Sequence, residues 1–231
     1  MKHVRYARLY LSGSLNACDI PQFRMQLKRK IEEHEGYVKF WKDNAHRLKR
    51  NYPILQYKCV KNRPTIIALE DGIDLLLFLL TQLPFSIEVG KNNMEVKVEE
   101  VYLKHHLLNV WDDRKWRYTL RCWLALNNEN HVKYNEGNEE QRKLLLERIL
   151  TGNILSFAKG LNWFVDKQLS VNIEDIENSR EVTFKGEPTL SFNVVFTANV
   201  FLPDYISLGK GAAIGYGTIK RVEEITSEAQ E

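Results

Sequence analysis

Polar and apolar residues alternate along 4–11, "VRYARLYL", with Ala7, Leu9 and Leu11 on one side and Tyr6, Arg8 and Tyr10 on the other. That period of two predicts a half-buried strand. The stretch "CDIPQF" follows, where Asp19 suits a helix N-cap and Pro21 the first turn of a helix running to about Glu33. Residues 34–51 form a basic, aromatic-containing loop or short helix. "YPILQYKCV" and "PTIIAL" then read as a strand pair turned by "KNR", "EDGIDLLLFLLTQL" as a short buried helix, and "FSIEVG" as a fourth strand. The order β-α-β-β-α-β is that of a ferredoxin-like, RRM-like unit.

The second half repeats the theme after "GKNNM" at 90–94, which divides the chain into domains 1–92 and 93–231. Strands are predicted near 95–108 and 115–126. In the latter, Trp116, Tyr118, Leu120, Cys122, Leu124 and Leu126 share one face, while Lys115, Arg117, Thr119 and Arg121 form a basic stripe on the other. A long helix covers about 138–159, with Leu144, Leu145, Ile149, Ile154, Leu155 and Ala158 at core spacing and Gly160 as its stop. Strands near 163–173, 180–185, 189–201 and 214–222 complete an α+β chain of tandem ferredoxin-like (RRM-like) domains with antiparallel sheets.

Composition narrows the class. Three scattered cysteines, Cys18, Cys59 and Cys122, form no CxxC pair, which argues against structural zinc and a disulfide scaffold and for a reducing cytoplasm. The N-terminal stretch lacks the continuous apolar core of a signal peptide, and the longest apolar run, "IDLLLFLL" at 73–80, is too short to span a bilayer. Charge is distributed unevenly: between Arg24 and Arg63 stand twelve Lys/Arg against four Asp/Glu, on a protein whose net charge is only +3. Such a segment is either a solvated helix and loop surface or the footprint of a polyanion partner.

Near the end, "LGKGAAIGYGTIKR" at 208–221 holds four of the twelve glycines: Gly209, Gly211, Gly215 and Gly217. A Walker loop fails, because Asp204 and Gly211 occupy positions that need Gly and Ser/Thr. A Rossmann fingerprint fails too: the third glycine comes one residue late and a strand follows. Two readings remain, a tight bulged hairpin leading into a final strand, or a nest of backbone N–H groups that holds phosphate with the help of Lys210.

The stretch "SLGKGAAIGYGTIKRV" resembles the C-terminal glycine-rich loop of the CRISPR-associated RAMP proteins that process precursor CRISPR RNA. "YPILQYKCVKNRPTIIALEDGIDLLL", "ILTGNILSFAKGLNW" and "LNACDIPQFR" resemble other parts of the same branch in the same order, so the resemblance touches both halves. It implies a metal-independent endoribonuclease that needs no cofactor. Such an enzyme cuts repeat RNA by 2′-hydroxyl attack, leaving a 2′,3′-cyclic phosphate and a 5′-hydroxyl. CRISPR repeat RNA is the implied partner, with CRISPR effector-complex proteins as further ones. The glycines, with Lys210, would meet RNA and help to pack the two domains.

Proton transfer at the 2′-oxygen and the leaving 5′-oxygen suits histidine. Of the six, His3 and His131 (in the polar turn "NNENHVKYN") read as solvated, and His105 and His106 point to opposite faces of a strand. His34 and His46 lie in the basic loop where the resemblance implies the catalytic histidine. His46 is the better placed, with Arg47, Lys49 and Arg50 as phosphate contacts and Arg117 and Arg121 as further RNA contacts. The pattern departs from the family in one respect: relatives carry closely spaced histidines after a phenylalanine, whereas here Phe40 is followed by "WKDNAH". A non-catalytic RNA-binding RAMP subunit is therefore the alternative, and a protein–protein scaffold on the same domains a third. Asp71, Asp74, Glu99 and Glu100 do not read as a metal cage, and no metal is expected.

Overall fold

The structure, a computed structural model, describes residues 1–33, 36, 37, 39, 42, 43, 52–81, 84–89 and 92–222. The first strand, β1 (Lys2–Leu11), leads into α1 (Ile20–Glu32), which carries Pro21 in its first turn and buries Ile20, Phe23, Leu27 and Ile31. A hairpin of β2 (Leu55–Val60) and β3 (Arg63–Leu69) follows. Lys61 and Asn62 both adopt positive φ there, 52° and 61°, as a two-residue turn matched to strand twist requires. Next come α2 (Gly72–Leu80) and the hairpin β4 (Phe85–Val89) and β5 (Asn92–Val96).

The fourth strand of the first unit is not the "FSIEVG" segment but β6 (Val98–Leu108). It pairs antiparallel with nearly the whole of β1, from Lys2↔Leu108 to Leu11↔Val98, giving the sheet order β2-β3-β1-β6. The predicted boundary at 90–94 thus falls before a strand of the first sheet, and Val89 and Asn92 face each other in a hairpin there. The eleven residues of β6 span the ten of β1, while the five of β4 pair with β5 instead.

The second unit runs β7 (Trp116–Trp123), α3 (Asn128–Glu136), α4 (Glu139–Gly160), β8 (Val171–Phe184), β9 (Glu187–Ala198) and β10 (Thr218–Arg221). Its sheet order is β10-β7-β9-β8, the ferredoxin-like order once more. The "NNENHVKYN" turn is in fact α3, capped by Asn127, whose side chain accepts the Asn130 amide, so His131 sits exposed on a helix. A capping box of Asn138 and Gln141 starts α4. Its buried side chains are Leu145, Leu146, Leu150, Ile154, Phe157 and Ala158, whereas Leu144 and Leu155 are exposed. Gly160 is the last residue of the helix, and a Cβ there would come 2.2 Å from Tyr52 Cβ, so close packing against Tyr52 calls for glycine.

Residues 164–170 are not a strand, and β8 runs unbroken through both segments predicted for that region, with bulges near Glu174 and Glu177. A further bulge in β7 sets two residues, Arg121 and Cys122, against Asn193 alone. Cys122 adopts φ 49°, and Trp123 turns inward in its place.

One face of the first sheet packs Ala7, Leu9, Leu11, Ile66 and Ala68 against α1 and α2. The opposite face places Val4, Tyr6, Ile67 and Leu69 in one core with Tyr118, Trp123, Phe157 and Phe196 of the second unit. The two units therefore share buried surface. Among the described residues no helix is long and apolar enough to cross a membrane.

Candidate nucleic-acid interface

The segment joining β9 to β10 builds the seam. Residues 205–208 run antiparallel to the start of β10: Leu208 N–H donates to Gly217 O at 2.8 Å, and Ile219 N–H to Ile206 O at 2.9 Å. The glycine-rich stretch is thus a hairpin, closed by a short 3-10 turn at Ala212–Ile214. Gly217 has φ 64°, and a Cβ there would lie 2.0 Å from Leu208 O, so a glycine is sterically required. Gly215 has φ 91° and brings its backbone against Ile20 and Tyr57 O of the first unit. A Cβ at Gly209 would meet Trp123 and Asn153, and one at Gly211 would meet Tyr216 and Phe184. In the direction a side chain would take, all four glycines meet protein atoms. The Lys210 ammonium donates to Leu126 O at 2.5 Å.

Polar side chains stitch this hairpin to the first sheet. Tyr52 Oη donates to Ser207 O at 2.6 Å, and Gln56 accepts the Ser207 amide at 3.0 Å while donating to Tyr52 Oη at 2.8 Å. Tyr6 Oη donates to Asp204 O at 2.8 Å. Burial holds the Tyr6 and Tyr52 phenols well above their ordinary range, so both stay neutral donors. Lys58 is 1% exposed and donates to the hydroxyls of Ser207 and Thr218, the latter at 3.2 Å.

Beside this seam opens a cleft of about 740 Å³. Its walls carry Lys58, Lys61, Arg121, Lys220 and Arg221, with Tyr205 and Gly215, and no Asp or Glu among the described residues. A cleft lined by one sign of charge focuses potential and suits an anionic ligand. On the adjoining sheet face the Arg8 guanidinium lies 5.0–5.2 Å from the ring centres of Tyr10, Tyr102 and Tyr205. No carboxylate pairs with it among the described residues, although Arg63 nearby meets Glu99 at 2.8 Å and Glu100 at 3.6 Å.

The Cas6b N-terminal domain family matches residues 2–107 and the Cas6b C-terminal domain family residues 110–222. The chain belongs to the Cas6b family. A crystal structure of Cas6b is 24% identical with a TM-score of 0.79, covering 96% of this chain and 100% of that one. A crystal structure of the CRISPR RNA processing endoribonuclease Cas6b is 25% identical with a TM-score of 0.72 and the same coverage. An uncharacterized protein of Methanocaldococcus jannaschii is 34% identical over 130 residues, 56% of this chain and 83% of the relative.

Within this Cas6b fold the predicted site residues divide. His34, His46, Arg47, Lys49 and Arg50 lie outside the described residues. Arg117 and Arg121 stand on the exposed face of β7, and each reaches across β9 to a glutamate: Arg117 Nε meets Glu174 at 2.6 Å, and Arg121 is held by both oxygens of Glu177. The basic stripe predicted there is therefore neutralised in part, and of this pair only Arg121 lines the cleft. Much of the basic segment on α1 is likewise paired, Lys28 with Glu32 and Arg29 and Lys30 with Glu33.

Of the remaining histidines, His3, His105 and His131 are exposed, and none lines the cleft. His106 is 3% exposed, stacks on Phe201 and lies 2.7 Å from its carbonyl oxygen, and burial lowers its pKa to about 4. It stays neutral at physiological pH and is structural. The acidic residues are engaged too: Asp71 and Asp74 surround Arg5 together with Glu70. Sequence reading missed Lys58 as a cleft residue, because in "LQYKCV" its only signal is a lysine at a position whose neighbours on the same face, Gln56 and Val60, are buried.

Proposed function

We propose that this protein is an endoribonuclease that processes CRISPR repeat RNA, with the RNA backbone lying in the cleft between the two ferredoxin-like units. The observation that carries this reading is the cleft itself: four exposed or half-buried cationic side chains, the buried Lys58 and no carboxylate among the described residues, beside the glycine hairpin, in a chain of the Cas6b family. The similar Cas6b structure described as a CRISPR RNA processing endoribonuclease supports the same reading.

The proposed reaction needs no metal. The 2′-oxygen attacks the adjacent phosphorus, the P–O5′ bond breaks, and a 2′,3′-cyclic phosphate and a 5′-hydroxyl result. The 2′-hydroxyl gives its proton to a base, and the departing 5′-oxygen receives one from an acid. His46 is the first candidate for these transfers and His34 the second, with Arg47, Lys49 and Arg50 as neighbouring phosphate contacts. The cleft cations stabilise charge developing on the phosphoryl oxygens.

Purified protein incubated with the repeat RNA encoded beside its gene, in excess EDTA, should cut once and leave a cyclic phosphate. Hydrogen in place of the 2′-hydroxyl upstream of the cut should abolish cleavage and spare binding. His46→Ala should slow cleavage by roughly 10²–10⁴-fold, and His34→Ala much less. A requirement for metal overturns the mechanism. Full activity in the double variant removes both histidines from it. Tight binding without cleavage by the unaltered protein makes the chain a non-catalytic RNA-binding subunit.

A further inference from the structure

Lys58 stands out from the other cations of the cleft. The remaining cleft cations, Lys61, Arg121, Lys220 and Arg221, lie at partly or fully exposed positions, whereas Lys58 is 1% exposed. No carboxylate pairs with it among the described residues; its Nζ faces the Ser207 and Thr218 hydroxyls, and the residue lines the cleft. An apolar side chain of similar length would fill this seam without the desolvation cost of a buried ammonium.

The hydrogen count around Nζ shows what is missing. Thr218 Oγ1 donates its own hydrogen to Gly215 O at 2.9 Å, so its lone pairs face Lys58 and Ser207. A neutral amine has two N–H groups and one lone pair, and the two hydroxyl oxygens accept both hydrogens. An ammonium has three N–H groups. The third finds no acceptor among the described residues, and burial accordingly holds the Lys58 amine well below its usual pKa. An anion in the cleft supplies the missing acceptor.

We propose that Lys58 is a proton-coupled phosphate contact: a phosphodiester oxygen enters beside Nζ, the amine takes up one proton from solvent, and the ammonium so formed bridges the RNA backbone to the Ser207–Thr218 pair. The contact adds the RNA backbone to the link that Lys58 already makes between β2 and the exit of the glycine hairpin. As applied to RNA, this rests on the function proposed above.

The surroundings contain other titratable groups. Tyr10 lies in the same cross-strand row through Thr65, and Cys59 is on β2 itself. Tyr205, Cys122 of β7, and Lys220 and Arg221 of β10 complete the wall. Burial raises the pKa of both Tyr10 and Cys59. The test therefore compares variants at Lys58 in which all these groups remain. Lys58→Met is never charged, and Lys58→Arg is always charged.

Calorimetric titration with repeat RNA carrying 2′-O-methyl groups, in two buffers of different ionisation enthalpy, reads proton uptake directly. The unaltered protein should take up a proton on binding and lose affinity as pH rises from 6 to 9, by up to about tenfold per pH unit. Lys58→Met should bind more weakly at pH 6 and lose that component of the slope. Lys58→Arg should retain binding at pH 9 that the unaltered protein loses. The same uptake and slope in Lys58→Met overturn the proposal. Thermal stabilisation by inorganic tripolyphosphate provides an arm independent of RNA. Stabilisation that Lys58→Met abolishes supports the anion contact even if repeat RNA fails to bind, an outcome that would sink only the RNA reading. Tripolyphosphate stabilisation equal in both proteins, with no RNA bound, overturns both.

Discussion

The two sheets share one strand order, yet only the first carries a helix between its third and fourth strands. There α2 covers one face of the sheet. At the corresponding place in the second unit stands the glycine hairpin with its 3-10 turn, which packs edgewise against α1 and β2. Replacing a helix by a hairpin removes a hydrophobic cylinder and brings backbone to the seam, and a cleft opens alongside. Two pairs of cations, one from each sheet, also contrast. Arg117 and Arg121 of the second sheet are matched by Glu174 and Glu177, whereas Arg8 and Lys58 of the first have no carboxylate partner among the described residues. Cations matched within the protein serve the fold at little net gain. Cations left unmatched at a cleft are the ones an anion reaches.

The largest expected effect tests whether the hairpin is held by close approach or only by backbone conformation. Gly217 and Gly186 both have positive φ, 64° and 85°, but a Cβ would clash at Gly217 and meets open space at Gly186. Gly217→Ala should cost on the order of 4 kcal/mol. Gly186→Ala should cost about 1 kcal/mol, the left-handed penalty alone. Equal losses in urea unfolding would mean that the seam tolerates expansion and the hairpin is not clamped.

The next effect concerns the stacking of β6 on the second unit through His106. Its folded pKa is depressed from 6.5 to about 4, so the unfolded chain binds a proton more readily. Its stabilising contribution is fully present above pH 6.5 and is lost as pH falls toward 4, by about 3 kcal/mol. His106→Gln should flatten that acid limb in thermal melts recorded from pH 7 to 4. An unchanged limb would place the acid sensitivity elsewhere.

The smallest effect separates matched from unmatched cations. Removing the exposed Arg121–Glu177 pair from either side should change stability by about 0.5 kcal/mol or less. RNA binding should respond asymmetrically: Glu177→Gln frees Arg121 and tightens binding roughly two- to fivefold, and Arg121→Gln weakens it and lowers the salt slope by about one. Equal effects of the two variants on affinity would remove Arg121 from the interface.

Local pattern by itself determined much of this protein. The alternation of 4–11, the Pro21 helix start, the "KNR" turn, the long helix beginning at Asn138 and the α+β class were all legible, because strand period, caps and turns are encoded within a few residues. So was the positional demand of the glycines, although not what meets them. Partner choice was not legible. That β6 rather than β4 completes the first sheet is seen only in its pairing along β1, a contact between segments far apart in the chain. That Trp123 rather than Cys122 faces inward follows from a bulge that Asn193 stabilises by accepting the Cys122 amide at 2.8 Å. The stripe of Arg117 and Arg121 looked free until β8, two strands away, supplied its glutamates. The burial of Lys58 depends on Ser207 and Thr218, 149 and 160 positions distant. Period and propensity specify which way a side chain points from its own backbone. Only the docking of one unit on the other decides whether it then meets water, a carboxylate or two hydroxyls in a closed seam.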